Sequence, residues 1–98
     1  IQQMTARYFG ESLNDLKSTR RDRRIARPRQ IAMNLAKTLT SLSLPDIAAF
    51  FGRDHTTVMH AVKTIEGLMT RDTQMKTDIA VLSQKLKEGE THDREYTL

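Results

Sequence analysis

Residues 43–62 read SLPDIAAFFGRDHTTVMHAV, and this stretch holds two helix starts separated by one tight stop. Ser43 is suited to cap a helix, and Pro45 falls where the first turn tolerates a missing N–H. The helix so begun carries Leu44, Ile47, Ala48 and Phe51 on one side, and Gly52 predicts its end. Asp54 is a second cap, after which Val58, Ala61, Val62, Ile65, Leu68 and Met69 recur at helical spacing. The pattern predicts a helix-turn-helix. Thr56, His60 and Lys63 then share a polar stripe, and Arg53, His55 and Thr57 gather at the second helix's start. There the backbone N–H groups and the helix dipole favour an anionic partner. In a helix-turn-helix, this start is the part that meets base edges.

The flanking sequence extends the helical reading. Met4, Tyr8 and either Ile1 or Ala6 predict a first helix ended by Gly10, and Ser12 can cap a short second one anchored by Leu13 and Leu16. Ser18 to Arg27, STRRDRRIAR, lacks helical periodicity and reads as a basic loop. Pro28 reads as lying near the start of the next helix, whose apolar stripe is Ile31, Ala32, Leu35, Ala36 and Leu39, with Arg29, Gln30, Asn34 and Lys37 on other faces. Beyond the helix-turn-helix, Asp72 or Thr73 can cap a packing helix with Met75, Ile79, Leu82 and Leu86 in register. Gly89 is expected to end it, giving a domain over 1–89 and a polar, flexible tail over 90–98. The fold class is therefore all-α, a bundle of about six helices. The five methionines read as core and boundary fillers.

With 98 residues, 38% of them hydrophobic, one modest core is expected. A first residue of Ile in place of Met suggests a fragment or a processed chain. Cysteine is absent, which excludes disulfides and thiolate metal sites, and no apolar run reaches membrane-spanning length. The four glycines stand too far apart for a phosphate loop, so nucleotide hydrolysis has no support. His55 and His60 are five apart, not the four that aligns two imidazoles for zinc.

The net charge of +4 is unevenly placed. Lys17 to Lys37 holds eight Lys or Arg against one acid, whereas Glu66 to Leu98 holds five against seven. Basic charge thus gathers beside the helix-turn-helix, as a nucleic-acid footprint requires. Arg20, Arg21, Arg23, Arg24 and Arg27 repel one another until a partner brings negative charge. An arginine here can also enter a narrow A·T-rich minor groove. A solvated loop, a nuclear-localisation signal and an acidic phospholipid surface remain competing uses of such a cluster.

Three blocks, Arg27-Pro28-Arg29-Gln30-Ile31-Ala32-Met33, Ser43-Leu44-Pro45-Asp46-Ile47 and Arg53-Asp54-His55-Thr56-Thr57-Val58-Met59-His60-Ala61, closely resemble the C-terminal DNA-binding domain of the DnaA family of bacterial replication initiators. Their order and spacing match, and the resemblance covers roughly Ile1 to Leu86. It implies a Trp-repressor-like helical domain that binds A·T-rich boxes in double-stranded DNA at the replication origin. By the same resemblance Arg21, or Arg20 beside it, enters the minor groove, while Asp54, His55 and Thr56 read bases in the major groove. Arg29, Gln30, Lys37, Pro45, Thr57 and His60 add contacts chiefly to the DNA backbone. The chain departs from the family at Phe50-Phe51-Gly52, with one glycine where two are usual and a segment one residue shorter. ATP is implied only for a preceding domain, so this chain is expected to need no cofactor and to be no enzyme. The resemblance also implies a cytoplasmic, nucleoid-associated protein, with regulatory proteins and other initiator copies as further partners. Acidic phospholipid is the partner in the rival, charge-only reading.

Overall fold

Local capping decides where the helices of this chain begin and end. The structure, a computed structural model, describes residues 1–11, 13–17 and 23–93. Among them are six helices: α1 (Gln2–Phe9), α2 (Leu13–Lys17), α3 (Arg23–Leu39), α4 (Leu44–Phe51), α5 (His55–Met69) and α6 (Thr73–Asp93). No strand occurs among the described residues.

The helix-turn-helix is α4 and α5. Ser43 Oγ accepts the Asp46 N–H at 3.3 Å while the Asp46 carboxylate accepts the Ser43 N–H at 3.4 Å, a reciprocal capping box at the start of α4. Gly52 follows with φ of 64°, a left-handed conformation that suits a residue without Cβ. Its N–H donates to the Ala49 carbonyl at 3.3 Å and that of Arg53 to the Ala48 carbonyl at 3.0 Å, the paired bonds of a Schellman stop. One glycine therefore closes the shortened turn. Asp54 then caps α5, its carboxylate accepting the Thr57 N–H at 2.8 Å. Gly10 ends α1 by the same left-handed device.

Around α3 the other five helices assemble, with the α3–α5 contact the most extensive. The Ile31, Ala32, Leu35 and Ala36 stripe is buried against Val58, Ala61 and Ile65 of α5, and Ile47, Ala48 and Phe51 of α4 close the core from one side. Met75, Ile79, Leu82 and Leu86 complete it from α6. Leu39, Leu44, Leu68 and Met69 pack at its edge, as does Met4, while Met33 is buried. Asp72 caps α6 by accepting the Met75 N–H at 3.1 Å.

Two expectations are corrected. The basic stretch is not a loop up to Arg27: α3 already begins at Arg23, and Pro28 lies inside it. Pro28 has no N–H to offer the Arg24 carbonyl one turn back. The turn holds because Ile25 is fully buried and Arg27 Nη1 donates to Gln30 Oε1 at 2.8 Å. Ile25, Pro28, Ala32 and Leu35 in fact lie on one buried face, extending the stripe by nearly two turns. Next, α6 does not end at Gly89 but runs to Asp93. Glycine weakens a helix by about 1 kcal/mol relative to alanine, which longer-range packing of α6 can override. Tyr8, within the expected first helix, is exposed and donates its hydroxyl to Asp78 Oδ1 on α6 at 2.9 Å. The Ser12 cap and residues 94–98 of the expected tail lie outside the described residues.

Candidate nucleic-acid interface

The first turn of α5 is held by its inner face and open on its outer one. Val58 is completely buried, whereas Asp54, His55, Thr56 and Thr57 are exposed, and His60 and Lys63 continue the exposed side one and two turns on. Hydrogen bonds from Thr57, backbone first, hold the Asp54 carboxyl below its ordinary value, and the nearby His55 and His60 act in the same direction. Asp54 is thus an anchored carboxylate at a helix start that otherwise presents imidazole and hydroxyl groups.

Between α3 and α5 lies a cleft of about 190 Å³. Arg29 and Gln30 line it from α3, Arg53 from the turn before α5, Thr57 and His60 from α5, and Ala26, Met33 and Ala61 supply its apolar floor. No acidic side chain lines it among the described residues. Arg29 is buried, and burial and then the positive charge of Arg53 pull its guanidinium below the usual arginine range. Arg29 and Arg53 thus bring two cationic side chains to the lining of one cleft. The arrangement is suited to a phosphate group, which arginine forks and hydroxyls bind through charge-assisted hydrogen bonds.

The sequence candidates divide accordingly. Arg29, Gln30, Arg53, Thr57 and His60 come together at the cleft. His55 and Thr56 stand outside it on the exposed helix start, with Asp54 as the cap. Pro45 is exposed at the start of α4, and Lys37 is exposed in the last turn of α3. Arg20 and Arg21 lie outside the described residues, and of Arg23 and Arg24 only the helical backbone is described. Sequence reasoning passed over Arg27 as a site residue, although it engages the Gln30 side chain; its place three residues before Gln30 on one helix was the available signal. No group of three or more His, Cys, Asp or Glu suited to a metal ion is found among the described residues. No described helix is long and apolar enough to cross a membrane.

The family model described as bacterial dnaA protein helix-turn-helix matches residues 1–65, which include α1 to α4 and most of α5. Similar curated relatives include the chromosomal replication initiator protein DnaA of Rhodopseudomonas palustris strain BisB18, 52% identical over 89 residues. The protein of the same name from Nitrobacter hamburgensis is 51% identical over 89 residues. Each alignment covers 90% of this chain and 19% of the relative, so the chain spans about a fifth of the length of the relatives it matches. On the family match, the capped helix-turn-helix and the conformity of its three sequence blocks, this chain belongs to the bacterial DnaA helix-turn-helix family.

Proposed function

We propose that this chain binds double-stranded DNA sequence-specifically, reading A·T-rich boxes of a replication origin as the address-reading module of an initiator. The observation that carries the reading is the exposed first turn of α5 beside a cleft lined by Arg29, Arg53 and His60. Phosphates held at the cleft would set the register, and His55 and Thr56 would meet base edges in the major groove. The threonine methyl suits a thymine methyl, and its hydroxyl suits a base edge. Arg20 and Arg21 are assigned to the neighbouring backbone and minor groove on sequence grounds. The relatives' name, chromosomal replication initiator protein DnaA, supports the biological setting. That setting would be cytoplasmic and nucleoid-associated, with regulatory proteins and other initiator copies as further partners. Binding, not catalysis, is the activity proposed here; ATP is assigned to the part of longer relatives that this chain does not cover.

An electrophoretic shift with a box duplex and a scrambled duplex at equal salt tests the proposal. Preferential retention of the box duplex is expected. Equal binding to both would leave charge alone as the determinant and favour the rival reading, a basic module for acidic phospholipid or a protein partner.

A further inference from the structure

Gln30 lines the cleft, and its amide has two chemically opposite edges to offer an occupant, a carbonyl oxygen that accepts and an NH2 that donates. A neighbour one helical turn back decides between them. Arg27 Nη1 donates to Gln30 Oε1 at 2.8 Å, and because a guanidinium carries donors and no acceptor, only the oxygen edge of the amide can meet it. The three-residue separation along α3 is what sets the two side chains beside each other. Arg27 is half-buried and is not among the residues that line the cleft. With Oε1 taken, Nε2 and its two N–H donors remain, engaged by no other group among the described residues. The rest of the polar lining is Arg29, Arg53, Thr57 and His60, with no acid among the described residues. A carbonyl turned toward this cleft would repel an anion held there, whereas an NH2 edge joins the other donors.

We infer that Arg27 is a positioning residue for DNA binding: by holding Gln30 Oε1 it leaves the donor edge of the amide for the cleft and fixes it before a phosphate arrives. This inference rests on the DNA-binding reading above. An unheld glutamine surrenders rotamer freedom when it is immobilised at an interface, and in the flipped orientation it offers the phosphate an acceptor. The bond to Arg27 settles both matters before binding. Arg27 then acts on affinity through the Gln30 amide, in addition to the pull of its own charge on the DNA.

A double-mutant cycle on affinity for a box duplex at fixed salt provides the test, with wild type, Arg27→Met, Gln30→Ala and the two combined. Loss of the Arg27 charge is common to both backgrounds and cancels, so the difference isolates what passes through the amide. Arg27→Met is expected to weaken binding roughly threefold or more beyond its cost in the Gln30→Ala background. Equal costs in the two backgrounds would mean that Arg27 acts by charge alone and would overturn the inference. The side-chain amide of Gln30, followed by NMR in wild type, guards against variants that do not fold and separates positioning from a merely structural bond. In the free protein it should be more ordered than the amides of the exposed Gln3 and Gln84, and its Nε2 protons should shift when duplex is added. A Gln30 amide as mobile as those two overturns the inference. So does an ordered amide indifferent to DNA, which would leave the bond with only its role in the α3 turn. Equal binding of box and scrambled duplexes would defeat base reading alone, since phosphate contacts are common to both, and the cycle would still decide the role of Arg27. Wild type that retains neither duplex would defeat the DNA-binding reading, and the inference with it.

Discussion

Asp54 Oδ1 accepts the backbone N–H of Thr57 at 2.8 Å, and this bond fixes where α5 begins and hence which side chains its exposed first turn presents. The same bond, with the Thr57 side chain and then His55 and His60 adding to it, lowers the Asp54 pKa from its ordinary 3.8. A carboxyl lowered on folding contributes stability that is fully present above 3.8 and is lost as pH falls through the lower folded value. Asp54→Asn keeps a capping oxygen without the charge. The melting temperature of wild type should therefore exceed that of Asp54→Asn at neutral pH, and the gap should close in acid below 3.8. A gap independent of pH would mean that the carboxylate's charge adds nothing to the cap.

What could be read from the sequence was mostly what is decided within a few residues. Ser43, Gly52, Asp54 and Asp72 act on backbone groups no more than about one turn away, and each occupies its expected place. The stripes from Ile31 to Ala36 and from Val58 to Ile65 were legible for the same reason. Pro28 misled because proline signals a helix start more often than a helix interior; buried Ile25, seven residues before Ala32, carried the contrary signal. The burial of Arg29 was not legible, since its partner carbonyl lies thirteen residues away and only the docking of α2 on α3 brings them together. Tyr8 and Asp78 are seventy residues apart, so no local pattern joins them. Of the site, the exposed side of α5 was legible from periodicity, whereas the cleft between α3 and α5 arises only from their packing.

Two glycines should respond with opposite signs. Gly52 has φ of 64° and open space where a Cβ would stand, so Gly52→Ala is penalised by backbone strain alone, about 1–2 kcal/mol. Gly67 lies within α5 with the same open space and no positive φ, and Gly67→Ala should stabilise by roughly 0.5–1 kcal/mol. Chemical denaturation of both variants checks the pair, and equal shifts would contradict the left-handed stop at Gly52.

Leu35 of α3 and Ile65 of α5 are fully buried in one core. Replacing either with Ala should cost about 2–5 kcal/mol, read as a lower denaturation midpoint. Unchanged midpoints for both would refute the packing of α3 on α5.

Tyr8 offers a test of the α1–α6 contact. Its hydroxyl donates to Asp78 Oδ1, which also accepts from Gln74 Nε2 at 2.9 Å. That hydrogen bond, with smaller contributions from desolvation and the Asp78 charge, raises the phenol above its ordinary 10.0. The associated stability is fully present below 10.0 and is lost as pH rises through the raised folded value. In a Tyr96→Phe background, which leaves Tyr8 as the one tyrosine, tyrosinate absorbance should appear at lower pH once Asp78→Ala is introduced. An unmoved titration would break the proposed link between the two helices.

His55 and Thr56 give the sharpest prediction about function, because capping and base reading would leave different marks. Both are exposed in the first turn of α5, on the side away from Val58, Val62 and Ile65. The cap itself is provided by Asp54 and received at Thr57, so neither the imidazole nor the Thr56 hydroxyl makes that bond. Thr56→Ala and His55→Ala should therefore melt close to wild type, well short of the roughly 0.5–2 kcal/mol that loss of a cap costs. Their preference for box over scrambled DNA should fall by about 1–3 kcal/mol per lost base contact. The ratio of affinities matters more than either affinity, since phosphate contacts weaken both duplexes together. Comparing melting temperature of the free protein with that ratio separates the outcomes. A preserved ratio with lowered stability would return both residues to a structural role and leave the discrimination to be sought in the arginine-bearing stretch.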